Sequence, residues 1–191
     1  AFQGPRTVGP VNFASTDANN RSGSTLYELP AGRWEFVVAP TSVNSVGSYA
    51  IAVLDAGATT PLTIGETATV ALDPASRTQA LHFDWSGEGT AHLETDYVSG
   101  DQNIYYRVIA PSGSTVIERR YFRDDASFSG LAPGRYTVLI EGQRAASGVS
   151  TVALTVREGT ETLRPLALGE RVEGTIADPL EQAVYAFTLT E

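Results

Sequence analysis

Side chains that could perform catalysis are few in this sequence. The two imidazoles are His82 and His92, and none of the 191 residues is cysteine. A nucleophilic enzyme needs a base within hydrogen-bond reach of its nucleophile, but His82 alternates with Leu81 and Phe83 and is predicted to point away from an apolar strand face. The Gly-x-Ser-x-Gly and His-Glu-x-x-His motifs are absent. We therefore interpret both histidines as ordinary strand residues and expect a protein that is not an enzyme.

Acidic and amide side chains offer two further kinds of site. Glu94 and Asp96 share one side of a predicted strand, as paired carboxylates do in glycosidases, but a solvated strand end is the preferred interpretation. Calcium prefers oxygen ligands clustered on loops. The richest candidate is the set Asp96, Asp101 and Asn103, followed by the acidic and amide residues of 17–20. Neither has the spacing of an EF-hand, so we expect no cofactor, with calcium as the alternative.

Exposed aromatic side chains can bind a sugar or an extended protein by stacking. Tyr105 and Tyr121 are the best candidates, because Tyr105 alternates out of the apolar face formed by its neighbours. Packing at a sheet edge is the more ordinary role of a strand tyrosine. The one basic cluster lies in residues 119–123, and we expect it to pair with the aspartates at 124–125. The candidate binding residues are Tyr105, Tyr121 and Arg119.

Composition narrows the choice of partners. The formal net charge is -9, and all 13 basic residues are arginine. Such a surface repels the phosphate backbone of nucleic acids and anionic lipid headgroups. No apolar run approaches the roughly 18 residues that a membrane span needs. We expect neither nucleic-acid binding nor membrane insertion. The absence of cysteine excludes a disulfide framework, and it is common among bacterial surface proteins, so we expect an extracellular or cell-surface location.

The chain repeats its pattern after about a hundred residues. Residues 131–140, Leu-Ala-Pro-Gly-Arg-Tyr-Thr-Val-Leu-Ile, are a near copy of residues 29–38, Leu-Pro-Ala-Gly-Arg-Trp-Glu-Phe-Val-Val. The shift is 131 minus 29, or 102. Each copy reads as a Pro/Gly turn followed by a strand. We predict that Gly134 and Gly32 occupy equivalent turns that need a positive φ or a close backbone approach.

A second pair of copies follows the first. Residues 165–170 repeat residues 61–66, a shift of 165 minus 61, or 104. The Asp-Pro turn at 73–74 returns at 178–179. For the next strand, the apolar pattern predicts a shift of 187 minus 85, or 102. This shift matches Ala183, Tyr185 and Phe187 to Leu81, Phe83 and Trp85.

Short runs of alternating apolar residues are separated throughout by turn residues, and no stretch has helical spacing over more than one or two turns. This pattern indicates an all-β fold of tandem antiparallel β-sandwich modules, jelly-roll or Ig-like in type. The predicted strands include 34–38, 48–54, 61–72, 80–85, 90–93, 104–109, 115–120 and 136–140.

The order of these motifs resembles the bacterial pre-peptidase C-terminal domain. The motifs are Leu-x-Leu-Gly-Glu at 166–170, Asp-Pro, Tyr-x-Phe at 185–187, Pro-Ser-Gly at 111–113 after a hydrophobic strand, and Leu-x-Pro-Gly-Arg-Tyr-Thr at 131–137. The resemblance spans one full unit, 61–158, and parts of a preceding and a following unit. It implies a β-sandwich that recurs in secreted proteases and very large bacterial surface proteins. It also implies an accessory role in adhesion, substrate docking or spacing, without catalytic residues.

Two divisions of the chain account for its length. The first gives permuted modules at 1–86 and 87–191. The alternative follows the family boundaries, with a partial unit at 1–58, a full unit at 59–160 and a partial unit at 161–191. In the alternative, the last piece supplies the opening strands of a sandwich and the first piece supplies closing strands. Such halves leave open strand edges that invite pairing in trans.

These features favour a non-enzymatic extracellular module of a bacterial surface or secreted protein. We expect a structural spacer or an adhesion role, with neighbouring repeats or like chains as partners, and assembly into filaments is one consequence. The alternative is an accessory substrate-binding module of a secreted hydrolase. Its partner would be a carbohydrate or an extracellular protein.

Overall fold

The computed structural model describes residues 2–3, 26–27, 29–39, 44, 46–49, 51, 53–87, 89–177 and 180–189. Thirteen strands and one short 3-10 helix, Ala56–Ala58, lie in these ranges. No helix within them is both long and apolar enough to span a membrane. The strands are β1 (Phe2–Gln3), β2 (Glu35–Phe36), β3 (Thr60–Pro61), β4 (Thr67–Leu72), β5 (Thr78–Trp85), β6 (Thr90–Ser99), β7 (Tyr105–Ile109), β8 (Thr115–Tyr121), β9 (Ala126–Ser129), β10 (Gly134–Glu141), β11 (Ser150–Gly159), β12 (Glu161–Pro165) and β13 (Gln182–Ala186).

Nine of these strands form a β-sandwich. One sheet has the order β3-β5-β10-β7-β8 and the other the order β4-β11-β6-β9. All neighbours are antiparallel except β3 and β5, which are parallel. Side chains from both sheets contribute to one hydrophobic core. The predicted all-β class is therefore confirmed.

The core forms because each central strand turns every second side chain inward. Phe83 on β5 and Tyr136 on β10 lie opposite each other, and their rings stack with centroids 5.4 Å apart. Burying a side chain of this size stabilises the fold by roughly 1.5–3 kcal/mol. The predicted inward faces of both strands are confirmed. They consist of Leu81, Phe83 and Trp85, and of Tyr136, Val138 and Ile140.

Strand pairing locates the sandwich in the sequence. β5 pairs with β10 over eight residue pairs, and β4 pairs with β11 over six. One core extends from Leu62 to Val156. A boundary between residues 86 and 87 would separate the paired strands of both sheets. The range 59–160 contains all nine strands.

Several local predictions differ from the structure. The described residues of 48–54 form no strand, and Tyr49 and Val53 are exposed. Alternation alone does not make a strand, since a strand also needs a neighbour to pair with. The sequence does not predict β9 or β12, because one is short and serine-rich and the other is mostly polar. The candidate calcium residues of 17–20 lie outside the described residues.

Two small sheets precede and follow the sandwich in sequence. β1 and β2 pair antiparallel, with Phe2 opposite Phe36. β7 and β10 pair in the same way, with Val108 opposite Val138. Phe36 corresponds to Val138 at the shift of 102 predicted for the turns, whereas Phe2 corresponds to Val108 at a shift of 108 minus 2, or 106. The pairing of β1 with β2 therefore has the direction of the pairing of β7 with β10, but the shift differs by four residues between the two strands.

The β12–β13 sheet copies the pairing of β3 with β5. Pro61 lies opposite His82 in one parallel pair, and Pro165 lies opposite Ala186 in the other. The residue after each proline donates its amide hydrogen to the carbonyl of that partner, with nitrogen-oxygen distances of 2.6 and 2.8 Å. The shift is 165 minus 61 on the first strand and 186 minus 82 on the second, both 104.

The shift of 102 predicted for the last strand is therefore wrong by two residues. A slip of two keeps every side chain on the same face of the strand, so apolar alternation alone fits either register. Gly65 and Gly169, with φ of 87° and 84°, also share the shift of 104. The counterparts of Leu81, Phe83 and Trp85 are Tyr185, Phe187 and Leu189.

Gly32 and Gly134, at the turns that lead into β2 and β10, both have a positive φ. Gly32 has a φ of 151° and Gly134 a φ of 142°, which side chains other than glycine rarely adopt. A Cβ on Gly134 would lie 2.7 Å from the Cγ of Pro111. The ring two residues after each glycine donates to the carbonyl four residues before itself, at 3.0 Å from Trp34 and 2.8 Å from Tyr136. The prediction for both glycines is confirmed.

Candidate functional site

The three predicted binding residues, Tyr105, Tyr121 and Arg119, lie together on β7 and β8. Tyr105 is opposite Tyr121 in the register, and their ring centroids are 4.6 Å apart. The guanidinium of Arg119 lies 4.8 Å from the centroid of Tyr105, and that of Arg123 lies 5.0 Å from the centroid of Tyr121. We call these four side chains the tyrosine-arginine cluster. It lies at the edge of the five-stranded sheet, because β8 is the last strand there.

The environment of the cluster raises the pKa of Tyr105 above its ordinary value. A hydrogen bond with Tyr121 raises the pKa of Tyr105, burial raises it further, and the charges of Arg119 and Arg123 oppose both effects. Guanidinium groups this close to an aromatic centroid are attracted to the ring face. A sugar ring that stacks on Tyr105 or Tyr121 would therefore have to compete with an arginine already placed there.

The predicted pairing of the basic cluster with the aspartates at 124–125 is observed only in part. Arg120 reaches Asp125, but it donates from Nη1 to the backbone carbonyl at 2.9 Å. The carboxylate of Asp125 accepts a hydrogen bond from the amide of Thr95 at 2.8 Å. Arg119 and Arg123 also lie over tyrosine rings. Sequence could not foresee the contact of Arg119 with Tyr105, because the pairing of two strands brings them together, whereas Arg123 and Tyr121 are only two residues apart.

The candidate calcium residues occupy the end of β6 and the loop after it. Oδ1 of Asp101 accepts hydrogen bonds from the backbone amide of Asn103 at 2.8 Å and from its side-chain amide at 3.0 Å. Asp96 lies on the strand, opposite Ala153. Within the described ranges, no three His, Cys, Asp or Glu side chains gather closely enough to hold a metal ion. Calcium at Asp96, Asp101 and Asn103 stays a prediction.

The two carboxylates proposed as a pair share the outer face of the four-stranded sheet. Glu94 lies opposite Thr155 and Asp96 opposite Ala153 on β11. Glu94 forms an ion pair with Arg157, at 2.8 Å between Oε2 and Nε. Both partners of that pair are about half exposed, so it contributes little stability. The sequence interpretation was a solvated strand end, but β6 continues to Ser99, so both carboxylates lie within the strand.

The two histidines lie in different sheets. Nδ1 of His82 is 2.8 Å from Oγ1 of Thr59, and Nδ1 of His92 is 2.7 Å from Oγ of Ser127 on the neighbouring strand. In a hydrolytic triad, a serine hydroxyl binds one ring nitrogen of a histidine and a carboxylate binds the other. In the part of the chain that the structure describes, Nε2 of His92 is buried without a hydrogen-bond partner.

A buried ion pair is the feature that sequence analysis missed. Arg107 on β7 and Glu141 on β10 have side chains 3% and 0% exposed, with Nε in contact with Oε1. Nη2 of Arg107 also donates to Oε2 at 3.3 Å. Each residue alternates with core residues, so the pair lies on the outer face of the five-stranded sheet. The sequence does contain opposite charges in two strongly apolar strands. Only the register of β7 with β10 shows that Arg107 and Glu141 form an ion pair.

No family model and no curated protein matches the sequence. Solved structures do match. The chain is similar to the pre-peptidase C-terminal domain of a collagenase from Bacillus anthracis, with 15% identity, a TM-score of 0.43, and coverage of 51% of this chain and 93% of that one. It is also similar to PliG of Aeromonas hydrophila, a periplasmic inhibitor of g-type lysozyme, with 16% identity, a TM-score of 0.35, and coverage of 51% and 95%. The pre-peptidase C-terminal domain is also the family that the order of the sequence motifs resembles.

Proposed function

We propose that this chain is a non-enzymatic extracellular β-sandwich module of a bacterial surface or secreted protein. It acts as a structural spacer, with an adhesion role through contact with like units. The observation that carries the proposal is that β12–β13 repeats the register and the backbone hydrogen bond of β3–β5 at a shift of 104 on both strands. On the other side of the sandwich, β1–β2 repeats the antiparallel direction of β7–β10.

We further propose that the units follow the boundaries 1–58, 59–160 and 161–191. What supports this division is that every strand of the nine-stranded sandwich lies between residues 59 and 160. Under it, one chain carries closing strands, a complete unit and opening strands in that order. Head-to-tail contact between such chains is heterologous, so association would build chains or filaments unless the rotation closes a ring.

Light scattering over a micromolar concentration series tests this proposal. We expect the average mass to rise with protein concentration, and we expect this rise to disappear when the residues after Ala177 are deleted. The deletion leaves the nine strands of the sandwich intact. A single species with the mass of one chain, unchanged by the deletion, would contradict association between like units.

The second candidate is an accessory module that docks a secreted hydrolase on carbohydrate or protein. The tyrosine-arginine cluster favours it, since two partly exposed rings and two cations form an amphipathic surface at a sheet edge. A pull-down on insoluble polysaccharides and collagen separates the two candidates. Saturable binding that is lost on changing both Tyr105 and Tyr121 to alanine supports the accessory module. The leading proposal expects no such binding.

A further inference from the structure

We propose that β13 of one chain pairs, along the side opposite β12, with residues 32–39 of a second copy of the chain. This inference rests on the proposed function and deepens it by naming the contact and its register. The two partial units would then complete one sheet between them.

The order of strands in the complete sandwich provides the template. Four adjacent strands there run β3-β5-β10-β7, with a parallel pair followed by two antiparallel pairs. The described structure also contains two separate two-stranded sheets, a parallel β12-β13 and an antiparallel β2-β1. Pairing β13 with β2 antiparallel gives β12-β13-β2-β1. The result has the order and the strand directions of the complete sheet.

The two shifts fix the register of this new pair. Tyr136 lies opposite Phe83 in the complete sheet. The shift of 102 carries Tyr136 onto Trp34, and the shift of 104 carries Phe83 onto Phe187. Trp34 is therefore expected to face Phe187, in place of the stacked rings of the sandwich. By the same rule, Glu35 lies opposite Ala186 on the outer face.

Apolar residues of the two partial units are more exposed than their counterparts in the complete sandwich. Phe83 and Trp85 are 0% and 3% exposed in the sandwich, whereas their counterparts Phe187 and Leu189 are 56% and 72% exposed. Val38 is 45% exposed, although its counterpart Ile140 is fully buried. Covering an exposed apolar strand face with another apolar face lowers the free energy of the protein in water.

The length of β13 agrees with the inference. β5 begins at Thr78 and β13 at Gln182, again 104 residues apart, but β5 continues to Trp85 while β13 ends at Ala186. The first three and the last three residues of β5 pair only with β10. The counterparts of the first three pair with β12, which is longer than β3, but β12 ends at Pro165 and leaves the counterparts of the last three without a paired strand in the described structure. The segment that β13 lacks as strand is thus the segment that needs a β10-like neighbour. A second copy brings that neighbour, because residues 32–39 are the copy of β10.

Introduced cysteines can test the register without interference, because the chain contains no cysteine of its own. One chain carries Glu35→Cys with an affinity tag, and a second chain carries Ala186→Cys. Directly opposite residues of antiparallel strands have Cα atoms within reach of a disulfide. We expect mild oxidation of the mixture to yield a mixed disulfide dimer on a non-reducing gel.

The matched control is Val184→Cys in place of Ala186→Cys. This residue lies on the same face two positions away, where the register predicted from the apolar pattern would place the contact. A diagonal pair of this kind is near the limit for a disulfide, so we expect at least about tenfold less dimer. Equal or greater cross-linking through Val184 would overturn the proposed register.

A second pair of variants tests the apolar contact. Phe187→Asp, added to the Ala186→Cys chain, should reduce the dimer at least about tenfold, because a buried carboxylate would oppose the contact. Val149→Asp changes an equally exposed residue outside both partial units and should leave the yield unchanged. Both variants should unfold at the wild-type temperature when dilute. Equal yields from the two variants would overturn the proposal.

The remaining outcomes separate this inference from the proposed function. The double variant Glu35→Cys with Ala186→Cys, oxidised at high dilution, would give an intramolecular disulfide if the two partial units paired within one chain, and this would overturn pairing in trans. Association by light scattering without the mixed disulfide would overturn the register alone. Saturable polysaccharide binding through Tyr105 and Tyr121 would contradict the proposed function and leave the cross-linking result in place.

Discussion

β5 and β13 each pair parallel with one neighbouring strand, β3 and β12 respectively, but in the described structure only β5 has a strand, β10, on its other side. Each of the two strands accepts the same backbone hydrogen bond from the residue after a proline. Yet Phe83 is fully buried and its counterpart Phe187 is 56% exposed. The parallel pair therefore forms from local sequence, whereas burial of its apolar face requires β10 or a copy of it.

The first prediction measures that difference directly. Phe83→Ala should reduce the free energy of unfolding by about 3–5 kcal/mol, because it leaves a cavity in a packed core. Phe187→Ala should change it by less than about 0.5 kcal/mol in dilute protein, as expected for an exposed side chain. Urea denaturation of both variants provides the comparison. Similar losses for the two would mean that Phe187 is already buried in the single chain.

The buried ion pair sharpens the comparison between β10 and β2. Glu141 corresponds to Ala39 at the shift of 102, so the N-terminal copy has no acidic residue at this position. Glu141→Leu should cost about 3–5 kcal/mol, because it leaves the charge of Arg107 buried without its carboxylate. Adding Arg107→Met should recover much of that loss, since the uncompensated charge is removed. A double variant no more stable than Glu141→Leu alone would show that the two side chains do not act as a pair.

The turn glycines give a smaller effect. Gly134→Val should cost about 1–3 kcal/mol, because valine is strained at a φ of 142° and its Cβ meets Pro111. Gly32→Val places the same strain before β2, outside the sandwich. We therefore expect it to leave thermal unfolding of the sandwich nearly unchanged. A change below about half a kcal/mol for Gly134→Val would show that the turn tolerates a side chain.

The sequence predicted those parts of the fold that depend on local pattern. Alternation identified the inward faces of β5 and β10, and the Pro/Gly turns identified the positive φ of Gly32 and Gly134. The apolar pattern did not predict the correct register where it is compatible with more than one. The apolar alternation of residues 183–189 fits shifts of 102 and 104 equally well. The strand register, with Pro165 opposite Ala186, and the hydrogen bond from Leu166 to Ala186 distinguish them.

The candidate site shows the same limit. Exposure of Tyr105 could be predicted from its place in the alternation, but the contact of Arg119 with its ring could not, since this contact depends on the register of β7 with β8. The pair Arg107 and Glu141 is 34 residues apart in sequence and is brought together by strand pairing. Sequence identifies such residues one at a time, and the sheet decides which of them meet.

The smallest effect belongs to the hydroxyl of Tyr136, which the N-terminal copy replaces with the indole of Trp34. Tyr136→Phe removes the hydrogen bond to the carbonyl of Ala132 and should cost about 0.5–1.5 kcal/mol at neutral pH. Burial raises the pKa of Tyr136 above its ordinary value. An unfolded chain therefore loses this proton at a lower pH than the folded chain does.

The sign of the pH dependence follows from that difference. Below the ordinary tyrosine pKa of about 10, both states keep the proton and the stabilisation is fully present. As the pH rises past this value and through the raised pKa of the folded state, the free energy of unfolding falls. Tyr105 and Tyr106, whose pKa values are also raised, contribute in the same direction. Urea titrations from neutral pH to pH values above 10 should thus show a shallower decline for Tyr136→Phe than for the wild type. Parallel declines would mean that the hydroxyl of Tyr136 ionises as readily in the folded protein as in the unfolded chain.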